Sequence, residues 1–315
     1  MIIVTGCAGF IGYHLCKNLL AQKHKIIGID SVNEYYDPEL KKSRLAQLLS
    51  TPDFSFHKID ICDFESMEKI FESSNPEIVC HLAAQAGVRY SITHPFAYQK
   101  SNNEGFLNIL ELSRRYKVKN FVYASSSSVY GKNSKLPFSE DDPVDQPISL
   151  YAATKRSNEL TAFCYSHLYK LNTSGLRFFT VYGPWGRPDM ALFIFTKAII
   201  ENRPIEIFNN GKMMRNFTYI DDIVDGIVRV INNPKPFEIY NIGNDRAENL
   251  LDFIAEIESC IGKKAIRNYQ PMQMGDVPST VADIRKIQSL GYQPKTNIDI
   301  GIRNFVNWYR DYYRV

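Results

Sequence analysis

The chain has 315 residues, of which 44% are hydrophobic and 23% are charged, and its formal net charge is +3. This composition is ordinary for a globular protein, and the small net charge gives no support to binding of nucleic acid or of membrane surfaces. The length allows one large α/β unit or two smaller domains.

Cysteine, histidine and apolar patterns exclude several further classes. The six cysteines form no CxxC pair and the six histidines show no HExxH spacing, so we expect neither a disulfide framework nor a metal site. The first predicted strand begins at Ile2, so we expect no signal peptide, and no apolar run is long enough to span a bilayer. These patterns predict a cytoplasmic protein. The densest basic run, KKSR at residues 41–44, is interpreted as a solvated helix face.

Short apolar runs alternate with longer helical patterns through residues 2–179. Strands are predicted at residues 2–5, 25–30, 54–60, 77–82, 120–124 and 174–179. Helices are predicted at residues 13–22, 64–72, 102–115 and 151–169. The alternation predicts an α/β fold, a doubly wound parallel sheet with helices on both faces.

Beyond Gly183 the alternation weakens because prolines and glycines cluster, although helical patterns persist at residues 221–231 and 250–261. We therefore expect one domain over residues 1–182 and a smaller C-terminal lobe over residues 183–315, with the chain free to cross back between them.

The first predicted strand leads into VTGCAGFIG, in which Gly6, Gly9 and Gly12 recur at every third position. A strand, a glycine turn and a helix N-terminus together form an anion site, where the backbone can approach a pyrophosphate. The spacing is GxxGxxG rather than GxGxxG, and a purely structural tight turn is the alternative. Asp30, at the end of the second strand, strengthens the dinucleotide interpretation. Its carboxylate suits the two ribose hydroxyls and repels a 2′-phosphate, so NAD is favoured over NADP.

Asp60 and Ile61 follow the third strand and could hold the adenine edge. The alternative for Asp60 is an N-cap of the helix that follows.

The stretch YAATK places Tyr151 and Lys155 four residues apart, on one face of a predicted helix. A phenol titrates near ~10, and a neighbouring ammonium favours its phenolate, so Tyr151 could act as a general base. By itself, the YxxxK spacing often occurs by chance and does not indicate a catalytic pair. The run SSSS at residues 125–128 directly follows the predicted strand 120–124, at the sheet edge where α/β proteins bind ligands, although a plain serine-rich loop is the alternative. The glycine turn, Asp30, the serines and YxxxK in this order are far more specific together.

Five stretches together resemble the extended short-chain dehydrogenase/reductase family, and within it the nucleotide-sugar epimerases. They are VTGCAGFIG, HLAAQAGVRYS, YASSSSVYG, YAATKRSNEL and RNFTYIDDIV, and the resemblance extends from Ile2 to the C-terminus. It implies an NAD-binding Rossmann domain, a C-terminal lobe for a nucleotide diphosphate sugar, and a homodimer. The dimer would use helices at about residues 102–115 and 151–169, whose apolar faces could equally pack within one chain.

The resemblance also implies roles for single residues. Ser126, Tyr151 and Lys155 match the catalytic serine, base and lysine. The implied cofactor contacts, besides Tyr151 and Lys155, are Gly6, Gly9, Phe10, Ile11, Gly12, Asp30, Asp60, Ile61, Leu82, Ala83, Ala84, Gln85 and Asn102. The implied substrate contacts are Arg89, Ser91, Ser126, Ser127, Ser128, Thr180, Arg187, Arg215 and Asp276.

The position after the catalytic serine separates reaction types within this family. Similar dehydratases and decarboxylases carry an acidic residue there, whereas this chain has Ser127. A simple oxidation and re-reduction, which is epimerisation at C4 through a 4-keto sugar, is therefore favoured over decarboxylation.

The stretch RFFTVYGPWGRPDMA resembles the UDP-glucuronate 4-epimerases, in which Thr180 and Arg187 would hold the sugar carboxylate. The alternative for Arg187 is that it starts a helix and pairs with Asp189. Arg215 matches the arginine that meets the diphosphate, with a surface ion pair as its alternative. Two rival functions stay open: epimerisation of UDP-glucose or UDP-N-acetylglucosamine, and a non-catalytic nucleotide sensor.

Overall fold

A computed structural model describes residues 1–315, which form thirteen strands and twelve α-helices. The strands are β1 (Ile2–Thr5), β2 (Ile26–Ile29), β3 (Phe54–His57), β4 (Ile78–His81), β5 (Asn120–Ser126), β6 (Thr173–Phe178), β7 (Thr180–Tyr182), β8 (Pro204–Ile207), β9 (Met214–Arg215), β10 (Phe217–Tyr219), β11 (Phe237–Ile242), β12 (Glu248–Asn249) and β13 (Ile266–Tyr269). The helices are α1 (Phe10–Ala21), α2 (Pro38–Leu49), α3 (Phe64–Ser74), α4 (Val88–Thr93), α5 (Pro95–Tyr98), α6 (Phe106–Arg115), α7 (Leu150–Tyr169), α8 (Ala191–Ile200), α9 (Ile220–Ile231), α10 (Leu250–Ile261), α11 (Arg285–Gln288) and α12 (Ile298–Tyr313). A π-helix spans Gln99–Gly105, and 3₁₀ turns span Ser127–Tyr130 and Phe208–Gly211.

Seven parallel strands form the central sheet, in the order β11-β6-β5-β4-β1-β2-β3. β1 pairs with β2 on one side and with β4 on the other, so the strand order reverses beside β1. The predicted doubly wound Rossmann-type sheet is confirmed. Ligands of such sheets bind outside the carboxyl ends of the strands, at the point of reversal.

The sheet is buried on both faces, as the apolar runs of its strands require. Along β1, Ile2 and Val4 join the hydrophobic cluster on one face, whereas Ile3 joins a second cluster on the other. The first cluster also contains side chains of α1 and α9, and the second contains side chains of α3 and α6. The period-2 alternation of strand side chains thus places helices on both faces.

The residues after Gly183 pack against this sheet rather than apart from it. Phe193 of α8, Phe253 of α10 and Phe305 of α12 belong to the same buried cluster as Ile2 and Val4. In addition, β11 pairs with β6 from Thr173↔Phe237 to Phe178↔Ile242, so this part of the chain supplies a strand of the central sheet. The division into residues 1–182 and 183–315 stays a prediction.

Apart from shifts at the ends of elements, such as β3 ending at His57 rather than at residue 60, two local predictions differ from the structure. Instead of one helix over residues 102–115, the chain forms the π-helix and then α6. The Asn158 side chain donates to the Asn102 carbonyl at 2.6 Å, which takes up a group that a regular helix would use internally. The second difference is at KKSR, where Lys41 and Arg44 are only 5% and 0% exposed, so the interpretation as a solvated face is wrong for both. Hydrogen bonds explain their burial, because Lys41 donates to the Asn33 carbonyl at 2.6 Å and Arg44 donates to the Tyr36 hydroxyl at 2.7 Å.

None of the helices combines the length and the apolar character that crossing a bilayer demands.

Candidate cofactor and sugar site

The glycine turn between β1 and α1 leaves no room for side chains. Gly6 has φ +73°, and a Cβ there would lie 2.7 Å from the Ala83 nitrogen. A Cβ on Gly12 would lie 2.1 Å from the Gly6 carbonyl oxygen. Gly9 is the N-cap of α1 and provides no side-chain cap, so the N–H groups of the first helical turn stay open to a ligand. Phe10 and Ile11 form that first turn. The turn therefore forms a cradle without side chains, in which backbone N–H groups can approach a bound anion.

Asp30 lies immediately beyond β2, beside the glycine turn. Its carboxylate accepts hydrogen bonds from the backbone N–H of Ala8 at 3.1 Å and of Val32 at 2.8 Å. Burial raises the carboxyl pKa, and the Val32 N–H and the Lys41 charge act in the opposite direction. Lys41 itself donates to the Asn33 carbonyl oxygen at 2.6 Å. The structure therefore gathers a fixed carboxylate and basic groups at the same strand end.

Asp60 and Ile61 lie between β3 and α3. The Asp60 carboxylate is exposed and accepts from the Cys62 N–H at 3.0 Å, whereas the N-cap of α3 is Asp63. The alternative interpretation of Asp60 as a helix N-cap is therefore wrong. Ile61 is buried, and its carbonyl accepts from the Asn108 side chain at 3.1 Å.

The segment after β4, with Leu82, Ala83, Ala84 and Gln85, lies against the glycine turn and is held there by side chains. Thr5 accepts from the Ala83 N–H at 3.1 Å. Asn102 accepts from the Gln85 N–H at 2.8 Å and donates to the Gln85 carbonyl and to Thr154, both at 3.0 Å. The structure thus brings Asn102 into contact with Gln85, another of the cofactor contacts that the resemblance implies.

Tyr151 and Lys155 lie in the first turns of α7, which is capped by Ser149. Burial raises the pKa of the Tyr151 phenol, whereas the neighbouring Ser126 hydroxyl and the Arg187 charge act to lower it. Lys155 makes no hydrogen bond with Tyr151. Its ammonium donates to the Ala124 carbonyl at 2.8 Å, and burial lowers its pKa to about 8.

The four serines divide between two elements. Ser125 and Ser126 belong to β5, which extends two residues beyond the predicted strand, and Ser127 and Ser128 begin the 3₁₀ turn. The Ser126 hydroxyl accepts from the Ser128 N–H at 3.2 Å, which fixes the turn beside it.

Beneath these residues lies a buried ion-pair network that the sequence analysis missed. Glu159 accepts from Arg177 through two bonds of 2.9 Å and from Ser125 at 2.6 Å, and all three side chains are buried. Arg177 also donates to the Tyr130 hydroxyl at 3.0 Å. The signal was present, because Glu159 lies four residues after Lys155 and eight after Tyr151 on the same helix.

On the sugar side, Thr180 and Arg187 line one cleft together with Phe10. Arg187 donates to Asp189 through Nε at 3.0 Å and through Nη2 at 2.5 Å, which is the pair that the alternative interpretation expected. The pair leaves Arg187 in the cleft, where its charge still acts on Tyr151.

The remaining substrate candidates form a separate basic group. Nη2 of Arg89 lies 3.6 Å from Oδ2 of Asp276. The Asp276 charge acts to raise the pKa of Arg215, whose Nη1 donates to the Pro278 carbonyl at 3.2 Å. Burial lowers the Arg215 pKa, and the Arg89 charge lowers it further, so the two arginines favour an added anion. Ser91 is buried and donates to the Val88 carbonyl at 2.6 Å, so its proton is engaged within α4.

These arrangements fit a dinucleotide. The side-chain-free cradle suits a pyrophosphate, and the fixed Asp30 carboxylate at the neighbouring strand end suits a ribose. Residues 2–243 match the family model described as the NAD dependent epimerase/dehydratase family.

The chain belongs to this family.

Several relatives in the family cover this chain almost completely. Protein CapI of Staphylococcus aureus is 49% identical, over 99% of each chain. A probable UDP-glucuronate 4-epimerase of Rhizobium meliloti is 44% identical, over 99% of this chain and 97% of its own. The crystal structure of UDP-glucuronic acid 4-epimerase from Bacillus cereus, in complex with UDP-glucuronic acid and NAD, is 35% identical, covers 99% of both chains and has a TM-score of 0.93.

Proposed function

We propose that this chain is an NAD-dependent UDP-glucuronate 4-epimerase. The observation that carries the proposal is that Tyr151 has both the Ser126 hydroxyl and the Arg187 charge as neighbours, while Arg187 and Thr180 line a cleft with Phe10, which follows the glycine turn. A base, a hydroxyl and a cation are the groups needed to deprotonate a sugar hydroxyl next to a carboxylate. The similarity to the Rhizobium and Bacillus proteins supports the same assignment.

NAD would be held by the glycine turn at its pyrophosphate, by Asp30 at its adenosine ribose, and by residues 60–61 and 82–85 along the sheet edge. When bound, NAD supplies the chemistry of accepting a hydride from the sugar and returning it. Because each cycle regenerates the cofactor, the protein needs no second redox substrate.

The chain's own residues would handle the proton. Tyr151 would take the proton of the sugar 4-hydroxyl, and the Ser126 hydroxyl beside it would hold the same oxygen in place. Lys155 would keep a positive charge near this site while it holds the Ala124 carbonyl. Ser127, in place of an acidic residue, supplies no acid or base for elimination or decarboxylation.

Two pairs of residues would bind the diphosphate and the sugar carboxylate of the substrate. Arg215 and Arg89 would meet the diphosphate, which suits paired guanidinium groups. Arg187 and Thr180 would hold the sugar carboxylate. A 4-keto uronate is a β-keto acid that loses carbon dioxide when its carboxylate lies perpendicular to the carbonyl, so a fixed carboxylate would protect the intermediate.

The test is proton NMR of UDP-glucuronate mixed with the purified protein and no added cofactor. We expect UDP-galacturonate to appear. For Arg187→Ala we expect the kcat/KM for UDP-glucuronate to fall about 30-fold or more, since a lost charge pair costs roughly 2–5 kcal/mol. Arg203→Ala, which removes an exposed arginine outside the cleft, should leave turnover unchanged. Conversion of UDP-glucose alone, or of no sugar nucleotide even with NAD added, would contradict the proposal and favour a neutral-sugar epimerase or a nucleotide sensor.

We also propose a homodimer that forms through α6 and α7, and a cytoplasmic location. Supporting the dimer, these helices pack on each other and keep large apolar side chains exposed, namely Leu107, Leu160, Phe163 and Leu168. Sedimentation of the purified protein measures the assembly.

The proposed cytoplasmic location is supported by the unpaired cysteines, which suit a reducing compartment.

A further inference from the structure

A chain of hydrogen bonds reaches Arg187 from a distant segment. Asp189 accepts from Nε and Nη2 of Arg187 at 3.0 and 2.5 Å, and its Oδ2 also accepts from the Tyr35 hydroxyl at 3.0 Å. Tyr35 belongs to the segment between β2 and α2, so two regions that are far apart in the sequence hold one guanidinium.

The position of the Tyr35 hydroxyl is defined by more than this one bond. It lies 2.8 Å from the place of a Cβ on Gly87, whose φ is +99°, so any other residue at 87 would displace it. The Tyr35 ring also packs against Tyr90, with 4.8 Å between the ring centres. The place of this Cβ is also 3.9 Å from Nη2 of Arg187. Segments around residues 35, 87 and 189 therefore converge on the same arginine.

A comparable pair elsewhere in the chain lacks such support. Arg203 and Glu201 are also two residues apart, and their side chains are 56% and 43% exposed with no third partner on the carboxylate. Arg187 and Asp189 are 21% and 35% exposed, and Tyr35 is half-buried. Arg187 is thus held by a partly buried carboxylate that has a second hydrogen-bond partner, whereas the Arg203 pair is an ordinary surface contact.

The pair with Asp189 uses only part of the arginine. A guanidinium has five N–H donors in a planar fork, and Asp189 occupies the edge formed by Nε and Nη2. Nη1 donates to no protein group, and with the second hydrogen of Nη2 it forms another edge that can bind a carboxylate in a bidentate manner. Because Asp189 fixes the plane of the guanidinium, the direction of this free edge is fixed too.

We propose that Asp189 and Tyr35 are positioning residues that set the specificity for a uronate, because they hold one edge of Arg187 so that the other edge receives the sugar carboxylate. The inference rests on the proposed function, and it assigns the preference for an acidic sugar to three residues rather than to Arg187 alone. A carboxylate finds a fork already aligned, so less conformational freedom of Arg187 is lost on binding.

The experiment compares wild type, Asp189→Asn, Tyr35→Phe and Glu201→Gln. For each protein, the KM and kcat for UDP-glucuronate and the inhibition constant of UDP are measured, with NAD content and thermal stability as checks on folding. We expect Asp189→Asn to raise the KM about tenfold, with kcat and UDP inhibition changed less than about threefold. Tyr35→Phe should raise the KM in the same direction but less, and Glu201→Gln should behave as wild type.

Two outcomes would overturn the inference while wild type still converts UDP-glucuronate. An unchanged or lower KM in Asp189→Asn would mean that Asp189 does nothing for the substrate or competes with its carboxylate. An equal loss of UDP binding would place the defect in the nucleotide site. Wild type that leaves UDP-glucuronate unchanged contradicts the proposed function itself, so the two failures are distinguishable.

Discussion

At the scale of single residues, the protonation of Tyr151 is set by opposing influences. Burial raises the pKa of the phenol, while the neighbouring Ser126 hydroxyl and the Arg187 charge act to lower it. The raised pKa keeps Tyr151 protonated at neutral pH in the absence of ligands, and the fraction of phenolate grows as the pH rises. A bound nicotinamide cation would lower the pKa of the phenol and so favour the phenolate.

Replacement of Ser126 by alanine should shift the acidic limb of the pH–activity profile to higher pH. The Ser126 hydroxyl lowers the Tyr151 pKa, so its removal raises that pKa and a higher pH is needed to form the base. The measurement is kcat/KM for UDP-glucuronate as a function of pH. Thr161→Ala, whose hydroxyl bonds only the Ser157 carbonyl on the same helix, serves as the control. A limb that stays in place, even with lower activity, would show that Ser126 does not tune the base.

At the scale of elements, α7 connects the chemistry to the core. One face of the helix presents Tyr151, Lys155 and Glu159 in successive turns, and Glu159 bonds Arg177 of β6 and Ser125 of β5. Glu159 therefore joins the helix that carries Tyr151 to the strand that carries Ser126, because it accepts from Ser125 of β5 while it pairs with Arg177 of β6. Their separation depends on this network.

Glu159→Gln should destabilise the protein by about 3–5 kcal/mol, because it leaves the buried Arg177 charge without a counter-charge. Chemical denaturation measures this loss. Glu77→Gln removes a carboxylate from an exposed pair with Lys119 and should change the free energy of unfolding by less than about 1 kcal/mol. Equal effects of the two substitutions would contradict the role assigned to Glu159.

Elements with local signals could be predicted from the sequence, whereas features with distant partners could not. The strand periodicity, the glycine turn and the Tyr151–Lys155 spacing all lie within a few residues, and the structure places them as expected. The π-helix at Asn102 depends on Asn158, 56 residues away. The burial of Arg44 depends on carbonyl groups 141 and 142 residues away. Such contacts leave no local pattern, so the sequence alone predicts a solvated face at KKSR where Lys41 and Arg44 are buried.

At the scale of the whole molecule, Arg44 joins the two sides of the cleft. Its Nη1 donates to the Ala8 carbonyl in the glycine turn at 2.8 Å. Its Nη2 donates to the carbonyls of Trp185 and Gly186, at 2.6 and 3.2 Å, directly before Arg187. The side chain is fully buried, and its hydrogen-bond acceptors are carbonyl and hydroxyl oxygens rather than carboxylates. The Tyr36 ring, 5.6 Å from the guanidinium carbon, and the Asp30 charge lie nearby. One arginine thus links the proposed NAD site to the proposed uronate site.

Arg44→Lys tests whether this link couples the two sites. An ammonium is a compact point charge and cannot reach the Ala8 and Trp185 carbonyls together as a guanidinium fork does. We expect the purified variant to retain less NAD and to show a higher KM for UDP-glucuronate, because both loops lose a donor at once. Absorbance of bound NAD and steady-state kinetics measure the two effects. Lys42→Ala on the same helix removes a cation whose side chain is 62% exposed and should change neither. If only one of the two sites were affected in Arg44→Lys, the loops would be independent, and Arg44 would serve only the site that changed.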